Sequence, residues 1–247
     1  MIELNNKVAV VTGGNSGIGY ATAKELKALG AEVIITGRRK EAIEKAAAEL
    51  RAIPVVADQS NLNDINKLHD HIAHQYGKID ILFINAGITG KGGFIEQIVT
   101  DDFDEVMNIN FRGAYFTLSK LIPLLNEGAS VVFLSSIVAT MHKAGSSVYQ
   151  ASKAALNSIA KTAAAELAAK KIRVNIVSPG PTRTEILTKI GLDETNLELL
   201  YDNLTNQIPL KKMGTTEDVA KIVAHLCGDA SSFITGAEFI LDGGMTL

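Results

Sequence analysis

One alternation runs the whole length of this chain and constrains its fold more than anything else: short, nearly continuous apolar runs take turns with longer Ala-, Glu-, Lys- and Leu-rich stretches. Val8-Ala9-Val10-Val11 and Val131-Val132-Phe133-Leu134 are apolar at every position. A strand with one wet face would alternate apolar and polar residues, so such runs suit strands covered on both faces in a parallel sheet. The strands read this way are Lys7–Thr12, Glu32–Thr36, Ile53–Ala57, Ile79–Asn85, Ala129–Ser135, Ile172–Ser178 and Glu238–Leu241. The helical stretches between them are Gly17–Leu29, Lys40–Arg51, Asn61–Tyr76, Asp101–Asn126, Val148–Lys170 and Thr216–Cys227. Strand–helix alternation predicts an α/β fold, a single doubly wound Rossmann-type domain over residues 1–247 with a mostly parallel seven-stranded sheet. Thr182–Lys212 interrupts the alternation, and a long insertion in a compact domain reads as a substrate lid.

Composition narrows the function classes. Hydrophobic residues make up 47% and charged residues 21%, an ordinary globular balance. A formal charge of −3, no Trp and 5% aromatics leave neither a basic footprint nor a stacking surface for nucleic acid. The first residues lack a signal-peptide pattern, and no apolar run approaches the roughly 20 residues that span a bilayer. Cys227 is the one cysteine, which excludes an intrachain disulfide, argues against a zinc cluster and suits a core filler. A cytoplasmic protein without membrane, metal or nucleic-acid partner is the expectation.

The first apolar run opens into Thr12-Gly13-Gly14-Asn15-Ser16-Gly17-Ile18-Gly19 and then a helical stretch. Glycines permit a tight turn and let backbone approach a pyrophosphate, whose charge a helix N-terminus favours. Gly13, Asn15, Ser16, Gly17, Ile18 and Gly19 are therefore candidate cofactor contacts. The spacing is T-G-x-x-x-G-x-G, one residue longer than the common Rossmann fingerprint.

With that motif the chain resembles the short-chain dehydrogenase/reductase family in its form of about 250 residues, over nearly its whole length. Asn85-Ala86-Gly87 is similar to the family's N-A-G motif, and Asp58 sits where family members contact the adenine. Pro179-Gly180, with Thr182 and Thr184, resembles the P-G-x-x-x-T segment that holds the nicotinamide carboxamide.

Cofactor choice is read at the end of the second strand, where an Asp or Glu would bond the ribose 2′-OH of NAD. Here Gly37 takes that position, followed by Arg38, Arg39 and Lys40. Without a carboxylate to repel a 2′-phosphate, and with Arg38 and Arg39 to grip it, NADP(H) is expected over NAD(H).

Tyr149 and Lys153 stand at i and i+4, on one face of a helix. A neighbouring ammonium and the positive nicotinamide of an oxidised cofactor both favour the phenolate, so Lys153 and the bound cofactor together are expected to lower the pKa of Tyr149. Ser136 lies just after the fifth strand, at the sheet edge where ligands bind in such folds. The Ser136–Tyr149–Lys153 spacing is similar to the family's catalytic set, and Asn110 resembles its fourth member, which orders a water leading to the lysine. Tyr149 and Lys153 would also touch the cofactor. Ser135 is the rival serine. His69, His71 and His74 read as a solvated helix face, His142 as a loop residue that borders the substrate, and Asp101 and Asp102 as helix N-terminal charges.

The resemblance implies an NADP(H)-dependent reductase interconverting a small-molecule ketone or aldehyde with an alcohol. It also implies a homotetramer built on the helices within Asp101–Asn126 and Val148–Lys170. The alternatives are reduction of a 3-oxoacyl thioester on an acyl carrier protein, which Lys170 and Lys171 could meet, and a non-catalytic dinucleotide-binding sensor.

Overall fold

β1 (Val8–Thr12) sits near the middle of the sheet because it is apolar on both sides, and everything else is laid against it in parallel. The computed structural model describes residues 2–184 and 193–247. After β1 come α1 (Gly17–Ala28), β2 (Glu32–Gly37), α2 (Lys40–Leu50), β3 (Ile53–Val56), α3 (Leu62–Gln75) and β4 (Ile79–Ile84). Then follow α4 (Thr100–Met107), α5 (Ala114–Leu121), β5 (Leu125–Leu134), α6 (Ser147–Leu167) and β6 (Arg173–Pro179). The last described elements are α7 (Glu194–Gln207), α8 (Thr216–Cys227) and β7 (Glu238–Leu241). The seven strands run in the order β3-β2-β1-β4-β5-β6-β7, every pair parallel. Strand order reverses between β1 and β4, and doubly wound sheets bind their ligands at the carboxyl ends beside that point.

Side chains alternate across a strand, so each continuous apolar run feeds two cores. Val10, Ile34, Leu82, Val131 and Phe133 pack on one face with Leu118 of α5 and Leu156 of α6. Val11, Ile35, Phe83, Val132 and Val177 pack on the other with Leu26 of α1 and Val223 of α8. Both faces are covered, as the runs required. The edge strand β3 buries less and alternates.

The expected helix Asp101–Asn126 is not one helix. α4 ends at Met107, a π-helical turn fills Asn108–Gly113, and α5 gives way to a 3-10 turn at Ile122–Leu124. Pro123 in that turn has no N–H to continue the ladder. β5 consequently begins at Leu125, ahead of the expected Ala129, and its pairing with β4 shifts register between Ile79 and Ile81. Of the lid insertion 182–212, residues 185–192 lie outside the described residues, including Ile186, Leu187 and Ile190. The remainder carries α7.

Candidate active site

At the carboxyl end of β1 the chain folds back on itself. Thr12 Oγ1 accepts from the backbone N–H of Asn85 (2.9 Å) and of Ala86 (3.1 Å). Asn85 Nδ2 in return donates to Thr12 O (2.8 Å) and Gly13 O (3.1 Å). Gly13 has φ +66°, and a Cβ on Gly19 would lie 2.3 Å from Gly13 O, so the turn requires both glycines. It ends on Ser16, the N-cap of α1, whose side chain makes no cap bond, and no acidic residue occupies the first helical turn. Backbone donors and an uncompensated helix dipole suit an anionic phosphate group. Asn85 is engaged in building this turn. Thr12, which the sequence reading passed over, is its other half.

Thr184 lies against the same turn from the far side, its Cβ 4.0 Å from where a Cβ on Gly17 would stand. Thr182 is buried, and its hydroxyl donates to Gly180 O at 3.0 Å. The glycine turn and the Pro179–Thr184 segment, distant in sequence, thus meet across the switch point.

β2 ends at Gly37, with Arg38 and Arg39 exposed beyond it. Gly37 is not among the positive-φ glycines; what crowds it is Asn15, whose Oδ1 would stand 2.9 Å from an added Cβ. Asp58, just past β3, accepts from the N–H (2.8 Å) and hydroxyl (2.7 Å) of Ser60, which fixes the chain at that rim.

The reactive groups gather on the amino-terminal half of α6. Lys153 is 3% exposed and its Nζ donates to Leu134 O at 2.8 Å, 5.9 Å from the centre of the Tyr149 ring. Burial brings the amine down to about 8. Burial also pushes the Tyr149 phenol up, with the Ser136 hydroxyl pulling the other way. The lowering expected of Tyr149 is therefore absent in the protein alone: the lysine turns towards a backbone carbonyl, and desolvation of the phenol dominates. Ser136 is partly exposed, and its hydroxyl donates to Pro179 O (3.4 Å), linking the turn after β5 to the segment after β6. Ser135 is buried, donating to Lys153 O at 3.5 Å, so Ser136 is the serine that faces the phenol.

Asn110 is fully buried in the π-helical turn. Its Nδ2 donates to Ile88 O (2.8 Å) and Ser152 Oγ (3.0 Å), and its Oδ1 accepts from Ile88 N (2.8 Å). The side chain is fully engaged in tying the loop after β4 to α6. A Cβ on Gly87 would sit 3.2 Å from Asn110 Oδ1 and 3.5 Å from Lys153 Nζ, so this glycine lets the two approach.

The histidine candidates lie on α3 and in the loop before α6. His69, His71 and His74 lie on α3; His69 pairs with Asp70 at 3.0 Å, and His74 contacts Asp70 O at 2.6 Å. His142 is exposed. Cys227 packs against the core, and burial raises its thiol to about 12, which keeps it unreactive. Among the described residues no group of His, Cys, Asp or Glu could hold a metal, and no helix is long and apolar enough to cross a membrane.

A family model described as enoyl-(acyl carrier protein) reductase matches residues 13–246. The oxidoreductase asL5 of Sarocladium schorii is 36% identical over 98% of this chain and 97% of its own. A short-chain dehydrogenase from Burkholderia cenocepacia, solved in complex with NADP, superposes with a TM-score of 0.90 at 33% identity, over 99% of this chain and 100% of that one. The chain belongs to the short-chain dehydrogenase/reductase family, a family of oxidoreductases. A 3-ketoacyl-(acyl-carrier-protein) reductase from Brucella melitensis, complexed with NADH, is equally close in fold: TM-score 0.90, 32% identity, over 99% of this chain and 100% of that one.

Proposed function

We propose that this chain is an NADP(H)-dependent reductase that interconverts a small ketone or aldehyde with the corresponding alcohol. The observation that carries the reading is the convergence of Ser136, Tyr149 and the buried Lys153 beside a glycine turn built for a phosphate. The glycine turn would take the pyrophosphate, Asp58 the adenine rim, Arg38 or Arg39 the 2′-phosphate, and Pro179–Thr184 the nicotinamide end. When bound, the dinucleotide supplies or accepts the hydride.

The protein's own part is proton handling. Ser136 Oγ would donate to the substrate oxygen and orient it, while Tyr149 Oη gives that oxygen its proton during reduction and takes it back during oxidation. A raised phenol suits donation, so reduction should fall off at high pH and oxidation should rise with it. Lys153 would hold the nicotinamide ribose and supply the charge that draws Tyr149 down once the ribose draws its Nζ away from Leu134 O. With the Asn110 side chain fully engaged, Asn110 would order a water towards Lys153 through its backbone carbonyl, if at that position it acts as in the family.

Tyr149→Phe tests the reading, because it removes the proton donor and little else. Turnover should drop by several orders of magnitude with cofactor affinity kept. Retention of more than about a tenth of the wild-type rate, a loss of only ~1.4 kcal/mol in barrier, would contradict it.

Reduction of a 3-oxoacyl thioester is the second reading, supported by the Brucella relative; the family model's description shares with it the acyl carrier protein but names an enoyl substrate. Against it, Lys171 is already paired with Glu127 at 2.6 Å, which removes part of the basic surface an acidic carrier would need. Turnover of acetoacetyl thioesters against a ketone panel, with both dinucleotides, separates the two.

A further inference from the structure

Away from the two sheet faces a third apolar cluster forms from Tyr201, Ile208 and Met213, with Leu197, Leu204 and Met245 against it. Its members come from α7, from the segment after it, and from the last turn of the chain. α7 is thus seated on the C-terminus.

That last turn is closed by one carboxylate. Asp242 Oδ1 accepts from Gly244 N (2.8 Å), and Oδ2 accepts from Thr246 N (2.8 Å) and Oγ1 (2.7 Å). Closure needs Gly243 and Gly244 at φ +64° and +90°. On one side the turn meets the segment after α7: Leu210 N donates to Gly243 O (3.1 Å), and a Cβ on Gly243 would lie 2.5 Å from Ile208 Cγ2. On the other side it backs the segment after β6. Gly180 N donates to Leu241 O (2.9 Å), and a Cβ on Gly180 would lie 2.7 Å from Asp242 Cβ. A third link closes the circuit, with the Arg183 guanidinium 5.1 Å over the Tyr201 ring.

We propose that the C-terminal turn Asp242–Thr246 is a positioning element of the active site, holding α7 and Gly180 in one fixed relation. This rests on the readings above, in which Pro179–Thr184 holds the nicotinamide end and the insertion that carries α7 faces the substrate. Asp242 touches no reactant on this account. It acts through Gly180 on the nicotinamide half of the cofactor, and through α7 on the carbonyl substrate. The adenosine half, held at the end of β2 and beside Asp58, lies outside its reach.

That asymmetry supplies the test. Full-length wild type, Asp242→Ala, Asp242→Asn and Met245→Ala are titrated with NADPH and with 2′-phospho-ADP-ribose, which lacks the nicotinamide. Steady-state constants are measured on the best ketone of a panel, with thermal melts alongside. Asp242→Ala should weaken NADPH about tenfold, or ~1.4 kcal/mol, and leave 2′-phospho-ADP-ribose within about twofold. KM for the ketone should rise more than kcat falls. Asp242→Asn keeps one acceptor oxygen and should recover part of the loss. Met245→Ala touches the α7 cluster and not Gly180, so it should raise the ketone KM with NADPH affinity intact. Unchanged NADPH affinity and KM in Asp242→Ala would overturn the proposal. So would equal weakening of both ligands with a lowered melt, the mark of general loosening. Failure of the wild type to bind either NADPH or NADH is a separate result, and it removes the reading of the site itself.

Discussion

Burying Lys153 to 3% exposure sets the fold against its own ammonium. With the amine at about 8 in the folded chain and near 10.5 unfolded, the unfolded state holds the extra proton between those values. Stability from this group therefore rises as pH climbs from about 8 towards 10.5, and the cost is complete below 8. Lys153→Met should accordingly stabilise the free protein near pH 7 by up to about 3 kcal/mol, less about 1 kcal/mol for the lost bond to Leu134 O. The gain should shrink towards pH 10 while turnover is lost throughout. Melts of both proteins across that range check it, and a pH-independent difference would deny the burial cost. Gly37 gives a second residue-scale prediction. A lone Gly37→Asp places a Cβ within 2.9 Å of Asn15 Oδ1, so unless Asn15 turns aside it should weaken NADH as well as NADPH. Adding Asn15→Gly should open the space and bring NADH binding up. Arg38→Ala should cost NADPH roughly ten- to a hundredfold and spare NADH. Dissociation constants for both cofactors decide each case.

Elements differ in how plainly the sequence announced them. The glycine turn was legible because a tight reversal has few chemical solutions, and the apolar run before it could only be a doubly covered strand. Tyr149 and Lys153 were legible because helical period fixes their shared face. The π-helical turn was not: Asn108–Gly113 has nothing in its composition to separate it from the α-helix on either side, and only the approach of another segment explains it. Gly113 marks that approach, since a Cβ there would stand 2.1 Å from Gln59 O. Nor could the α7 seat be read, because Met245 and Tyr201 are far apart in sequence and share no period. Gly113→Ala should force α5 off Gln59, displace Asn110 and cut turnover at least tenfold, with a destabilisation of about 1–3 kcal/mol. Wild-type turnover in that variant would show that the turn does not position Asn110.

At the scale of the molecule, Phe103 of α4 and Tyr115 of α5 are 44% and 47% exposed. β7 is an edge strand with Ile240 outward at 54%. Large apolar side chains in the open on two sides fit the proposed homotetramer with closed symmetry. Sedimentation at micromolar concentration should give about four chain masses, and a monomer alone would rule the assembly out. The division of the core has a different kind of consequence. Ile34 and Ile35 are neighbours in the chain, yet one answers to α3, α5 and α6 and the other to α1, α2 and α8. Volume lost at Ile35 is to be made up at Val11, its partner on β1 within the same core, rather than next door at Ile34. Along every central strand, alternate residues therefore answer to separate packing constraints, and a double substitution at adjacent positions should be close to additive in stability.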